Sequence, residues 1–271
     1  MSSALNSGSY GWRTTDSMPA LSLASVSAAS RHLEVRYAVR VAIDRPVEAR
    51  LREVAETLAV AAARGAFCAG VEYRGVSSMS LAETRVRESI VVQEMSSLGV
   101  DPRLFQCLRN MVRRLRNYGV EVTRVEVADL DRADSGNLQM PLPSEENEGT
   151  VYPAIATPAT TLQVAVDDID FGKSRRCLVE FGQPLAPELV ESFEAWVRPW
   201  YTLLEAGSYA LPVGPPETTE CIAGSVSQFD QSSIEVAVDV FLATEMAWNA
   251  LVNMVDRFDG ATGRVLRIVI E

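Results

Sequence analysis

Two stretches of the chain match without a gap at a separation of 143 residues: Leu108, Asn110, Met111, Val112 and Arg114 recur as Leu251, Asn253, Met254, Val255 and Arg257. The match runs on through Val122, Arg124, Val125 and Val127, which return as Val265, Arg267, Ile268 and Ile270. An internal repeat on this scale constrains the fold before any other feature, because each copy must be one structural unit. With 271 residues, the chain has room for two compact units and the segments that join them.

Within each copy the hydrophobic spacing sets the order of elements. Leu33, Val35, Tyr37, Val39, Val41 and Ile43 alternate, which predicts a strand over 33–43 with one buried side. Asp44 and Pro46 mark a helix start, and Val47, Leu51, Val54, Leu58 and Ala61 recur at intervals of three and four up to a stop near Gly65. A short strand is expected at 71–76 and a longer one at 84–92, with the Ser-rich 77–80 turning between them. Asp101 and Pro102 open a second helix with Leu104, Leu108, Met111 and Leu115 on its buried stripe, Gly119 ends it, and 120–127 alternates as a strand.

The second copy repeats this order: a strand at 177–181, a helix carrying Leu189, Phe193, Trp196, Trp200 and Leu203, and a hairpin of 219–226 and 234–241 around Asp230. Thr244 caps a helix with Ala247, Leu251, Met254 and Phe258, and 265–270 closes the sheet. The order β-α-β-β-α-β predicts an α+β chain of tandem ferredoxin-like repeats forming a pseudo-dimer, with antiparallel sheets and helices on one face. The expected division is a flexible tail over 1–30, repeats over 31–128 and 173–271, and an acidic connection over 129–172. The first part of that connection, through Thr150, is read as exposed linker, and 161–166 as an extra strand.

Charge separates the copies that hydrophobic spacing unites. Residues 1–128 hold 17 Arg against 13 acids, a net of +4, and residues 129–271 hold 8 Lys plus Arg against 23 acids, a net of −15; together they give the overall −11. A general phosphate-binding surface needs clustered cations, so this balance argues against nucleic acid as partner. No apolar run is long enough to span a membrane. The start lacks the basic segment and apolar block of a secretory signal, so a cytoplasmic location is expected.

Chemistry is sparsely signalled. His32 is the only histidine, so a two-histidine metal site is impossible. Cys68, Cys107, Cys177 and Cys221 form no CxxC pair and are read as reduced thiols. No glycine-rich phosphate loop, dinucleotide fingerprint or HExxH occurs, and no cofactor or metal is expected.

The candidate ligand or partner residues are therefore charged ones. Arg109, Arg113 and Arg116 form an exposed stripe at helical spacing, suited to carboxylate or phosphate. Arg124 and Arg267 lie on the second face of the closing strands, and Asp167, Asp168 and Asp170 are close enough to bind a divalent cation, although they lack the spacing of a calcium loop. Asn110 and Asn253 are unexpected in mid-helix, and a repeated hydrogen bond to backbone would explain both. The aromatic stripe Phe193, Trp196, Trp200 and Tyr201 stands where the first copy has an alanine-rich helix.

These features favour a non-enzymatic, acidic binding module, in its most concrete form an inhibitor or immunity-type protein that caps a basic partner. The alternatives are a small-molecule enzyme or sensor of dimeric α/β barrel type, using carboxylates, Arg124 or Arg267 and Tyr37 or Tyr73 around a cavity between the sheets, and a structural subunit that assembles through strand edges. Oligomeric state is left open.

Overall fold

A computed structural model of the chain describes residues 30–40, 45–101, 104–131, 138–141, 160, 162–166, 174–209, 224–238, 245–262 and 264–271. Its elements, in chain order, begin with β1 (Arg31–Val39), α1 (Arg45–Ala63), β2 (Ser78–Arg87), β3 (Ile90–Leu98), α2 (Leu104–Arg114) and β4 (Val122–Asp129). Two short strands follow, β5 (Leu138–Pro141) and β6 (Gln163–Val166). The second series is β7 (Arg175–Phe181), α3 (Pro187–Glu205), β8 (Gly224–Gln228), β9 (Ser233–Val238), α4 (Glu245–Thr262) and β10 (Val265–Ile270).

Among the described residues the fold is mixed α+β, with four α-helices and two five-stranded sheets in the orders β2-β3-β1-β4-β5 and β6-β10-β7-β9-β8. Every pairing is antiparallel except β6 on β10. Without β5 and β6 the two orders are the same, element for element. The segments 138–141 and 163–166 thus each add an outer strand, one per sheet. The extra strand expected at 161–166 is present as β6. Reading everything before Thr150 as exposed linker needs correction at 138–141, where four residues pair with β4 from Val127↔Leu138 to Arg124↔Pro141.

The first hairpin also departs from expectation. Residues 71–76 hold a short 3-10 turn at Val71–Tyr73 and no strand, and 77–80 lead into β2 instead of turning. The reversal falls at Glu88 and Ser89, with Glu88 at φ 52°. Sequence spacing misplaced it because β3 buries Gln93 and Ser97 on its inner side, which interrupts the apolar alternation. Position 93 is polar for a reason: the buried Tyr37 hydroxyl donates to Gln93 Oε1 at 2.7 Å.

Each sheet buries one face. In β1, Leu33, Val35, Tyr37 and Val39 point inward, and in β7 Cys177, Val179 and Phe181 do. The helices cover those faces and then pack on one another, α1 against α2 and α3, and α3 against α4, so that a single continuous core runs from sheet to sheet. Among the described residues, helices therefore lie between the two sheets, and the second face of each sheet is directed outward. No helix among the described residues is long and apolar enough to cross a membrane.

Candidate functional site

The repeated motif lies at the seam between the units. Both first helices end in the same way: a glycine in the left-handed region, Gly65 at φ 91° and Gly207 at φ 71°, with the next amide reaching back five residues, Ala66 N to Ala61 O and Ser208 N to Leu203 O. Asn110 on α2 donates across the seam to the Ser208 carbonyl at 2.8 Å. Arg114, one turn on, packs on Gly207 and donates to Glu205 O at 3.3 Å. Its repeat partner Arg257 packs reciprocally on Gly65 and donates to Ser77 O at 2.6 Å and Ser77 Oγ at 2.9 Å. The repeated Asn253 is buried, with its carbonyl against the same glycine. Phe67 and Tyr209, each two residues past its glycine, meet with ring centroids 6.5 Å apart. Corresponding patches face each other, as in an isologous two-fold contact.

Further bonds lock this seam. Arg74 Nε lies 2.7 Å from Oδ2 of the buried Asp256, and its guanidinium donates to the Asp256 carbonyl at 2.8 Å. Arg64, the residue after α1, reaches the Ala195 and Trp196 carbonyls of α3 and sits 5.6 Å from the Trp196 ring centre. Trp200, fully buried, donates to Ala247 O at 2.6 Å, so the aromatic stripe of α3 anchors the core. Cys107 and Cys177 are buried free thiols, and burial pushes that of Cys177 up to about 12. Cys68 is also buried and donates to Gly70 O at 3.1 Å, with its pKa raised mainly by burial. None has the depressed pKa of a nucleophilic thiol.

The arginine stripe along α2 and the 3-10 turn Leu115–Tyr118 that follows it is less open than its spacing suggests. Only Arg116 is exposed; Arg109 and Arg113 are half-buried. Burial, and then the charge of Arg113, lower the pKa of Arg109 to about 10, which leaves it cationic at neutral pH. Asp167, Asp168 and Asp170 lie outside the described residues, as do Asp44, Thr244 and Cys221. His32 is exposed, with Nδ1 3.1 Å from Asp131 Oδ1 and its amide donating to Asp131 Oδ2 at 2.7 Å.

Arg124 and Arg267 do occupy equivalent places, one on each outward sheet face, and both are engaged by carboxylates. Arg124 pairs with Glu126 at 3.1 Å, and Arg267 holds Glu180 through two bonds of 2.7 Å, which raises the arginine's pKa and lowers the glutamate's. The rest of the first face carries Arg36 on Glu34 at 2.6 Å and Arg85 on Glu94. The second face carries Arg176, bonded to Glu271 and 3.4 Å from Glu235. It also carries partly exposed Leu178 and Val269, and Phe229, whose ring centre is 5.3 Å from the Arg176 guanidinium. This face thus has three glutamates to two arginines around apolar side chains, the mixture a protein partner can bury. Sequence spacing located Arg267 but missed Leu178, Glu235 and Phe229, because alternation marks a side chain as outward without saying what its neighbours across the strands are.

No protein-family model matches the chain, and no curated protein matches it. Two solved structures are similar at 11% identity: an unknown protein from Galdieria sulphuraria, with 89% of this chain and 98% of that chain covered at a TM-score of 0.21, and a protein provisionally described as a glycine cleavage system transcriptional repressor, with 89% and 96% covered at a TM-score of 0.20. Likenesses this faint carry no argument about fold or activity.

Proposed function

We propose that the chain is a tandem of ferredoxin-like units, residues 31–128 and 173–271 joined by 129–172, that acts as a non-enzymatic protein-binding module of the inhibitor or immunity type. The architectural part is supported by the shared strand order β2-β3-β1-β4 and β8-β9-β7-β10, and by the reciprocal seam. The functional part rests on one observation: the outward sheet face of the second unit sets Leu178, Val269 and Phe229 among Glu180, Glu235 and Glu271. An apolar patch ringed by acids suits a basic protein, with the charges speeding encounter and the apolar centre holding the complex. Helices between the sheets occupy the space that the small-molecule alternative needs for its cavity.

The test is capture of a partner from native lysate by the immobilised full chain at low salt, followed by binding of the purified partner to substituted chains. A basic partner is expected, whose Kd weakens by roughly tenfold as salt rises past physiological strength. Leu178→Asp and Glu235→Arg should each weaken it further. A neutral or acidic partner, a salt-independent Kd, or indifference to both substitutions rejects the reading.

A further inference from the structure

β2 is the first strand of its sheet, and among the described residues nothing pairs with its outer edge along ten residues. The tight turn at Glu88 and Ser89 sets which backbone groups lie there. Arg87↔Ile90 closes a two-residue loop, so those residues exchange hydrogen bonds within the hairpin; by alternation Arg85 also faces β3, and Thr84 and Val86 direct their N–H and C=O groups outward. A register shift between Leu81 and Glu83 leaves Ala82 as an extra residue, so the regular edge runs from Glu83 to Arg87, and an exposed edge of this kind is a template for another strand.

The charges on the outward face say which strand. Register places Glu83, Glu94 and Glu34 side by side across β2, β3 and β1, a row of three like charges. The next row but one along the strands, Arg85, Val92 and Arg36, is basic. Arg85 bonds Glu94 and lies 3.4 Å from Glu83, whose side chain is 56% exposed, so the glutamate row is only partly neutralised within the chain. A two-fold axis through Thr84 would set two β2 strands antiparallel with Thr84 opposite its own copy. Glu83 of each chain then stands opposite Arg85 of the other, and the acidic row Glu34, Glu94, Glu83 continues into the basic row Arg85, Val92, Arg36 of the second copy. Opposite charges directly across an antiparallel pair stabilise it, and the axis supplies the match twice.

We propose that the protein associates with a second copy of itself through β2, joining two five-stranded sheets into one continuous sheet across a two-fold axis at Thr84. This surface lies on the first unit and shares no residue with the partner face proposed above, so either proposal can fail without the other.

Analytical ultracentrifugation of the full chain over a wide concentration range tests it. Wild type should reach twice the monomer mass. Thr84→Pro removes an edge N–H while leaving the bonds to β3 in place, and it should raise the dimer dissociation constant at least about tenfold. Glu83→Arg sets arginine against arginine across the axis and should have a similar effect. The swapped pair Glu83→Arg with Arg85→Glu restores complementarity and should recover the dimer. Far-UV circular dichroism checks that each variant is folded. A wild type that stays monomeric at the highest concentration, or a dimer unchanged by both Thr84→Pro and Glu83→Arg, overturns the proposal.

Discussion

Tyr37 and Val179 hold the same place in their two sheets, opposite Val125 and Ile268 respectively, and their neighbours on the adjacent strand, Gln93 and Val236, correspond as well. The first unit thus has a hydrogen-bonded tyrosine and glutamine where the second has two valines. The difference answers the helices above: α1 buries Ala55, Ala61 and Ala62, whereas α3 buries Phe193 and Trp200, so volume supplied by the sheet in one unit is supplied by the helix in the other. Removing only the hydroxyl tests the polar half of this exchange. Tyr37→Phe leaves Gln93 buried without its donor and should cost about 1–3 kcal/mol in urea unfolding, and adding Gln93→Met should recover much of it. The buried thiols give a second test at this scale. Burial raises the pKa of Cys107 and Cys177 above that of an unfolded thiol, so their contribution is complete below about pH 8.5 and is lost as pH rises from there through the folded value. Stability measured from pH 7 to 10.5 should fall, and Cys177→Ala should flatten the slope; an equal slope in the variant would count against this assignment.

At the level of elements, the two copies repeat the irregularity of their closing strands. β1 and β4 slip where Ala38↔Arg124 is followed by Val39↔Val122, leaving Thr123 as an extra residue; β7 and β10 slip where Glu180↔Arg267 is followed by Phe181↔Val265, leaving Leu266. Thr123 and Leu266 are themselves 143 residues apart. A bulge kinks a strand and increases its local twist, so both closing strands carry the same device in the same place. Spacing made the helices and most inner strands legible, because a buried stripe at period 3.6 or 2 is written in apolar residues such as Leu104, Leu108 and Met111. It failed where the buried side is polar, as at Gln93 and Ser97 on β3, and where a short strand lies within a Pro-, Ser-, Asn- and acid-rich stretch, as at 138–141. The roles of Asn110, Arg114 and Arg257 were legible only as a repetition, since nothing in either copy alone says that their partners belong to the other. The glycines they cover discriminate between strain and contact. Gly119, at φ 79°, has nothing within 4 Å of an added Cβ, whereas a Cβ at Gly207 would strike the Arg114 guanidinium. Gly119→Ala should therefore cost about 1 kcal/mol from backbone strain alone, and Gly207→Ala a few tenths of a kcal/mol more, because the flexible Arg114 side chain must shift. In an Arg114→Ala background the excess at Gly207 should shrink, and a double-mutant cycle by chemical denaturation reads that coupling.

For the whole molecule, the seam decides whether two units behave as one. It combines the fully buried Asp256, with Arg74 at 2.7 Å, the reciprocal arginines over Gly65 and Gly207, and the helix contact in which Arg64 caps carbonyls of α3. Its core is continuous with that of both sheets, so separation of the units would expose apolar helix surface along with these polar groups. Both halves are therefore expected to unfold in one cooperative step. Tryptophan fluorescence reports the second unit once Trp12 is replaced by Phe, because Trp196, Trp200 and Trp248 all lie there. Hydrogen exchange at β1 and β3 reports the first, and the two should give the same midpoint and the same opening free energy. Asp256→Ala strands Arg74 at the seam and should lower both by about 2–3 kcal/mol, less than for a fully buried pair because the arginine is 25% exposed. A loss confined to the second unit, with exchange in β1 and β3 unchanged, would mean that the units are joined by the chain and not by the seam.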